Sequence, residues 1–203
     1  MHHNICDVTG LTEIASAGAP GLYIDGFDNP QSNIVVYSNI IRNCRSGIAL
    51  VCEAGGTLNN VKVFNNLSYN NTRWGISIES LGSLQDIYIY NNTTWGNGKS
   101  GGIILQNNTA TNVVIANNIF GDTTGVPIYM AATVEHPENY IITYNLLRRD
   151  LEDTATPLGT NYIIGDPLFT NTATGDFTLQ PNSPAIYEGR DYWTQAVCNL
   201  GVY

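Results

Sequence analysis

Two acids, three cations and three aromatic rings stand at regular places in this chain, and their types suit recognition or acid–base chemistry. Asp25 follows Gly21-Leu-Tyr-Ile24, and Glu79 follows Gly75-Ile-Ser-Ile78. Both segments alternate, so the Ile side chains share one face while Tyr23, Asp25, Ser77 and Glu79 share the other. Two carboxyls on one face can divide the work of a general acid and a general base. The competing reading is two ordinary solvated acids. Arg45, Arg73 and Lys99 stand just before segments of the same kind, which puts three of the eight Lys and Arg residues on one edge. Cations so placed bind carboxylates, and a neutralised carboxylate acidifies the adjacent C–H for removal by a base. Turn residues in water would have the same spacing. Tyr23, Trp74 and Tyr129 offer flat faces for stacking. Tyr69 and Trp95 occupy equivalent places and read as packing. His2, His3 and His136 do not cluster by spacing; Glu135-His136-Pro137-Glu138 reads as a polar turn or an acid–base loop.

A repeat must position these residues. Asn33-Ile-Val-Val-Tyr-Ser-Asn39 is echoed by Asn60-Val-Lys-Val-Phe-Asn-Asn66, Asp86-Ile-Tyr-Ile-Tyr-Asn-Asn92, Asn112-Val-Val-Ile-Ala-Asn-Asn118 and Asn139-Tyr-Ile-Ile-Thr-Tyr-Asn145. The last Asn recurs at steps of 27, 26, 26 and 27, and Asn4 fits as an earlier member. A second motif keeps the same phase: Gly21-Leu-Tyr-Ile24, Gly47-Ile-Ala-Leu50, Gly75-Ile-Ser-Ile78, Gly102-Ile-Ile-Leu105 and Pro127-Ile-Tyr-Met130. Positions 34 and 36, and their equivalents one repeat on, are apolar or aromatic, which is the period of a strand with one buried face. Three short strands in a unit of this size cannot bury their own face. The units must stack, each strand bonding its equivalent in the next coil. A propeller blade needs a longer unit, and the leucine-rich consensus is absent.

The two motifs resemble the right-handed parallel β-helix of the pectate-lyase-like superfamily over residues 1–148, which implies an all-β solenoid of about six coils. In that family each coil runs through strands PB1, PB2 and PB3, joined by turns T1, T2 and T3. The resemblance places the Gly-Ile-x-Ile motif on PB1, the segment before the recurrent Asn on PB2, and that Asn in a T2 ladder of stacked amides. Asn suits such a corner because it tolerates left-handed backbone and its amide bonds above and below. Residues 149–203 are expected to form a polar loop and then a segment, from Ile164-Gly-Asp166-Pro167-Leu-Phe169 onward, that covers the C-terminal end of the core. The uncapped first coil predicts self-association through residues 1–25, or a longer parent protein.

The resemblance also implies a function. Substrates of the family lie along the outer face of PB1, where stacking gives columns of Tyr23, Ala49, Ser77, Ile104 and Tyr129, and of Asp25, Val51, Glu79, Gln106 and Ala131. Glu53 extends that face. It implies a carbohydrate-active module, a glycoside hydrolase or a polysaccharide lyase, binding an extended acidic polysaccharide. Asp25 and Glu79 lie two coils apart, roughly 9.6 Å at ~4.8 Å per coil, near the ~6.5–9.5 Å of an inverting pair. Glu79 and Asp25 are then the hydrolase candidates and Arg73 the lyase candidate, with Tyr23, Arg45, Trp74, Lys99 and Tyr129 binding sugar. The alternative is a non-catalytic structural or adhesin-like piece of a larger surface protein.

Composition narrows the classes further. The 203 residues carry a net charge of −9, which disfavours a nucleic-acid surface. The 25 Asn equal all charged residues together, so a helical bundle lacks both its helix formers and its ion pairs. No apolar run approaches a membrane span. Cys6, Cys44, Cys52 and Cys198 have no zinc spacing, and free thiols and a single bridge are both compatible with them. No stacked acids form a calcium cage. No metal or cofactor is expected, and the family implies a secreted or cell-surface location.

Overall fold

The computed structural model describes residues 1–8, 19–98, 101–121, 125–148, 159–191, 194 and 196–201. After β1 (Ile5–Asp7), the chain makes five turns of three strands each. They are β2 (Pro20–Asp25), β3 (Pro30–Tyr37) and β4 (Ile40–Arg42); β5 (Ser46–Val51), β6 (Thr57–Phe64) and β7 (Leu67–Tyr69); β8 (Ile76–Ile78), β9 (Ser83–Tyr90) and β10 (Thr93–Trp95). The fourth turn is β11 (Ile103–Leu105), β12 (Thr111–Ala116) and β13 (Ile119–Gly121). The fifth is β14 (Ile128–Met130), β15 (Tyr140–Thr143) and β16 (Leu146–Leu147), followed by β17 (Ile163–Ile164). Every third strand pairs in parallel, giving a PB1 sheet from β2 to β14, a PB2 sheet from β3 to β15 and a PB3 sheet from β1 to β17. This is an all-β parallel solenoid, consistent with the right-handed β-helix. The described residues hold two single-turn 3-10 segments, Pro137–Asn139 and Thr172–Thr174, as their helical content.

The inward column is the alternating apolar set. Ile48, Leu50, Ile76, Ile78, Val61, Val63, Ile87 and Ile89 are fully buried in one continuous core. At T2 the amides stack as the spacing requires. Each Nδ2 donates to the next Oδ1: Asn39 to Asn66 at 2.8 Å, Asn66 to Asn92 at 3.0 Å, Asn92 to Asn118 at 3.0 Å, and Asn118 to Asn145 at 3.0 Å. Asn4 joins at 2.9 Å. One detail differs from the expectation. The left-handed residue of the corner is the one before the ladder Asn, namely Ser38, Asn65, Asn91, Asn117 and Tyr144, with φ of 52°, 52°, 52°, 58° and 51°. The ladder Asn itself is chosen for its amide.

The C-terminal segment lies elsewhere than expected. Coil pairing continues to Ile164, and residues 149–158, read as a polar loop, lie outside the described residues. From there β18 (Phe169–Asn171) and β19 (Asp176–Leu179) form a hairpin, and β20 (Gly189–Arg190) pairs with β21 (Val197–Cys198). These elements cover the outer side of PB3, not the end of the solenoid. Phe169, Phe177, Ala185 and Leu200 pack with Leu67, Tyr69, Trp95, Ile119 and Leu146 in a second core. Phe169 meets Trp95 at 5.0 Å and Phe177 meets Tyr69 at 5.0 Å. The cause is in the outward PB3 residues, which are large and apolar and must leave water.

Candidate functional site

Two kinds of corner build a groove of about 620 Å³ beside the first three PB1 strands. At T3 the backbones stack turn on turn: Thr72 N–H donates to Cys44 O at 2.9 Å, Arg73 N–H to Arg45 O at 2.8 Å, and Gly47 N–H to Trp74 O at 2.8 Å. Arg45 and Arg73 therefore stand one turn apart, with the Trp74 ring beside them. Beneath them runs a second ladder. Asn71 Nδ2 donates to Asn97 Oδ1 at 2.9 Å, and Cys44 N–H donates to Asn71 Oδ1 at 3.0 Å.

The opposite wall is T1. The buried Asn107 donates to Glu79 O at 3.0 Å, Leu81 O at 3.2 Å and Gly82 O at 3.1 Å, which fixes the loop bearing Glu79. Tyr23 Oη donates to Glu53 Oε1. Burial of the Tyr23 hydroxyl, this bond, and the negative charge of Glu53, Asp25 and Glu79 all raise its pKa above the ordinary phenol range. The acids and the phenol thus form one electronegative cluster. Val51, Ala49 and Gln106 complete the lining.

Of the residues singled out by sequence, Tyr23, Arg45, Arg73, Trp74 and Glu79 line this one groove. Asp25 is beside it but employed otherwise. Its Oδ1 accepts the Phe27 N–H at 2.6 Å and the Glu53 N–H at 3.2 Å, so it organises the turn. Tyr129 keeps its column, in register through Ile104, Ser77 and Ala49 to Tyr23, but it does not line the groove. Between the exposed Tyr23 and Tyr129, the outward residues Ala49, Ser77 and Ile104 are 1%, 0% and 1% exposed. The groove lies beside the first three PB1 strands and does not extend to Tyr129. Lys99 lies outside the described residues. His136 pairs with Glu138 at 3.0 Å on an exposed turn away from the groove. Sequence reasoning passed over the Asn71–Asn97 ladder, although both residues sit five places after a T2 Asn. It also passed over Asn107 as the residue that positions Glu79, and no repeat signal marks that role.

Residues 2–175 match the sequence model of a family described as "Periplasmic copper-binding protein (NosD)". The chain belongs to the NosD family. No curated protein and no solved structure matches it. Among its described residues, this NosD-family chain brings no three His, Cys, Asp or Glu side chains together as metal donors. Two pairs come close: the His2 and His3 Nδ1 atoms at 2.7 Å, and the Cys6 and Cys44 sulfurs at 3.7 Å. No helix of the described residues is long and apolar enough to cross a membrane.

Proposed function

We propose that the groove holds a uronate-bearing part of a glycan, and that the chain is a non-catalytic recognition module of the cell envelope. The observation that carries this reading is the division of charge within one groove. Arg45, Arg73 and Trp74 stand on one wall, and Tyr23, Glu53 and Glu79 on the other. A uronate ring has the matching parts. Its carboxylate pairs with guanidinium groups, its C–H face lies on indole, and its hydroxyls donate to carboxylates. Arg45 and Arg73 leave backbones that stack on adjacent turns, so the two like charges share one wall of the groove. The net charge of −9 does not oppose this, because screening over ~8 Å leaves local charge in command.

The acids favour binding over turnover. Asp25, expected as the partner of Glu79, holds two backbone N–H groups and does not line the groove. Glu53, the acid that does line it with Glu79, accepts the Tyr23 hydroxyl. The family description supports a cell-envelope location and also names copper. Copper sites are built from thiolate, thioether and imidazole. The groove lining holds no Cys, Met or His, so it lacks the thiolate, thioether and imidazole donors that favour copper.

Calorimetric titration with oligogalacturonate and oligoalginate tests the proposal. Saturable binding is expected, weakened at least tenfold in Arg73→Ala and in Trp74→Ala, and weakened by salt. Reducing-end and unsaturation assays on the same sugars are expected to stay at background. Binding that ignores both substitutions would place the ligand elsewhere. No binding across a panel of acidic and neutral glycans would leave the structural reading.

A further inference from the structure

The first strand meets the corner after β4 through a pair of thiols that the glycan groove does not use. Cys6 lies at the middle of β1, whose hydrogen-bonded neighbour is β4, with Cys6 in register with Ile41. Cys44 lies two residues beyond β4. Their sulfurs are 3.7 Å apart, in van der Waals contact. Cys44 is 2% exposed and Cys6 is partly exposed. Around them β1 is already tied down by one carboxylate: Asp7 accepts from Arg42 Nε at 2.8 Å and from Asn43 Nδ2 at 2.9 Å.

We infer that Cys6 and Cys44 form a disulfide that staples the first strand to the corner at the end of the first turn. The oxidant is a disulfide donor, small-molecule or protein. The accessible Cys6 thiolate attacks one sulfur of the donor, forming a mixed disulfide and releasing the donor's other sulfur as a thiolate. The Cys44 thiol gives up its proton, and its sulfur displaces the second donor thiolate from Cys6. One donor disulfide is reduced to two thiols as the two protein thiols become one disulfide, so electrons and protons balance. The order of attack follows from access and acidity. Burial, with the neighbouring Cys6, pushes the Cys44 thiol up to about 12, so it is a poor first nucleophile. The bridge closes a long loop in the unfolded chain, and constraint of that ensemble is the source of its stabilisation. Among the described residues β1 pairs with β4 alone, so the bridge adds a covalent tie to a strand held on one side.

The test is peptide mapping after treatment of the intact chain with oxidised glutathione, with thiols alkylated under denaturing conditions. The expected product is a Cys6 peptide joined to a Cys44 peptide, lighter by two hydrogen atoms, with Cys52 and Cys198 alkylated. The oxidised protein is expected to melt on the order of 10 °C above the reduced one, and Cys6→Ser to abolish that difference. Four alkylated thiols after oxidation would overturn the inference. So would a bridge from Cys6 or Cys44 to another cysteine, or equal melting of the oxidised and reduced forms.

Discussion

At the Asp25 carboxylate, two backbone N–H groups converge on Oδ1, from Phe27 and from Glu53 one turn on. A bond to a charged acceptor contributes about 1.5–3 kcal/mol. Asp25→Ala is therefore expected to lower unfolding free energy in urea by about that much; an unchanged midpoint would leave the carboxylate free for chemistry instead. Tyr140 makes a second case. Its buried hydroxyl donates to Asn107 O at 2.6 Å, and burial raises its pKa above the ordinary phenol range. A group whose pKa is raised by folding supports the fold fully below its unfolded value, about 10, and that support is lost as pH rises toward the folded value. The urea midpoint should fall between pH 9 and about pH 11, and less so in Tyr140→Phe. An identical fall in the variant would assign the loss to other groups. Neither role was legible from spacing, because each depends on which backbone atoms the turn brings near.

At the scale of elements, the T2 ladder is a row of amides whose interior members each serve both neighbours. Asn92 Nδ2 donates to Asn118 Oδ1 at 3.0 Å, Val63 O at 2.9 Å and Tyr90 O at 3.1 Å, while its own Oδ1 accepts from Asn66. Asn92→Leu strands several buried groups at about 1–3 kcal/mol each. A loss of at least ~3 kcal/mol is expected, or roughly 6–12 °C in melting temperature. Asn4, which is exposed, should cost much less when changed in the same way. Equal losses at the two sites would deny the ladder its cooperative role. This element was legible because one residue type recurs in phase with the strands. The parallel stack, with five full turns where about six were expected, and the inward Ile and Val columns were legible for the same reason: stacking turns sequence period into spatial neighbourhood. The second ladder at Asn71 and Asn97 was hidden by its shortness. Cys44 and Thr123 stand at the corresponding places before and after.

For the whole molecule, the solenoid leaves its PB3 side apolar, and the described residues from Phe169 onward cover it. No periodicity runs through that tail, so its destination could not be read from its own sequence. The clue lay in Tyr69 and Trp95, recognised as packing residues without their partner. Phe169→Ala removes the ring that bridges Trp95 and Phe177. About 3–5 kcal/mol of stability should go with it, together with new binding of an apolar dye to the uncovered sheet. A stable variant that binds no dye would show the cover to be dispensable. The cover lies on PB3 and the T3–T1 groove lies beside the PB1 strands, and the occupant of that groove is the central claim. The most direct measurement is a crystal structure with trigalacturonate. The account predicts a sugar ring on Trp74 with its carboxylate within about 3 Å of Arg45 or Arg73. Density for the sugar away from this groove, or an empty groove at saturating ligand, would contradict it.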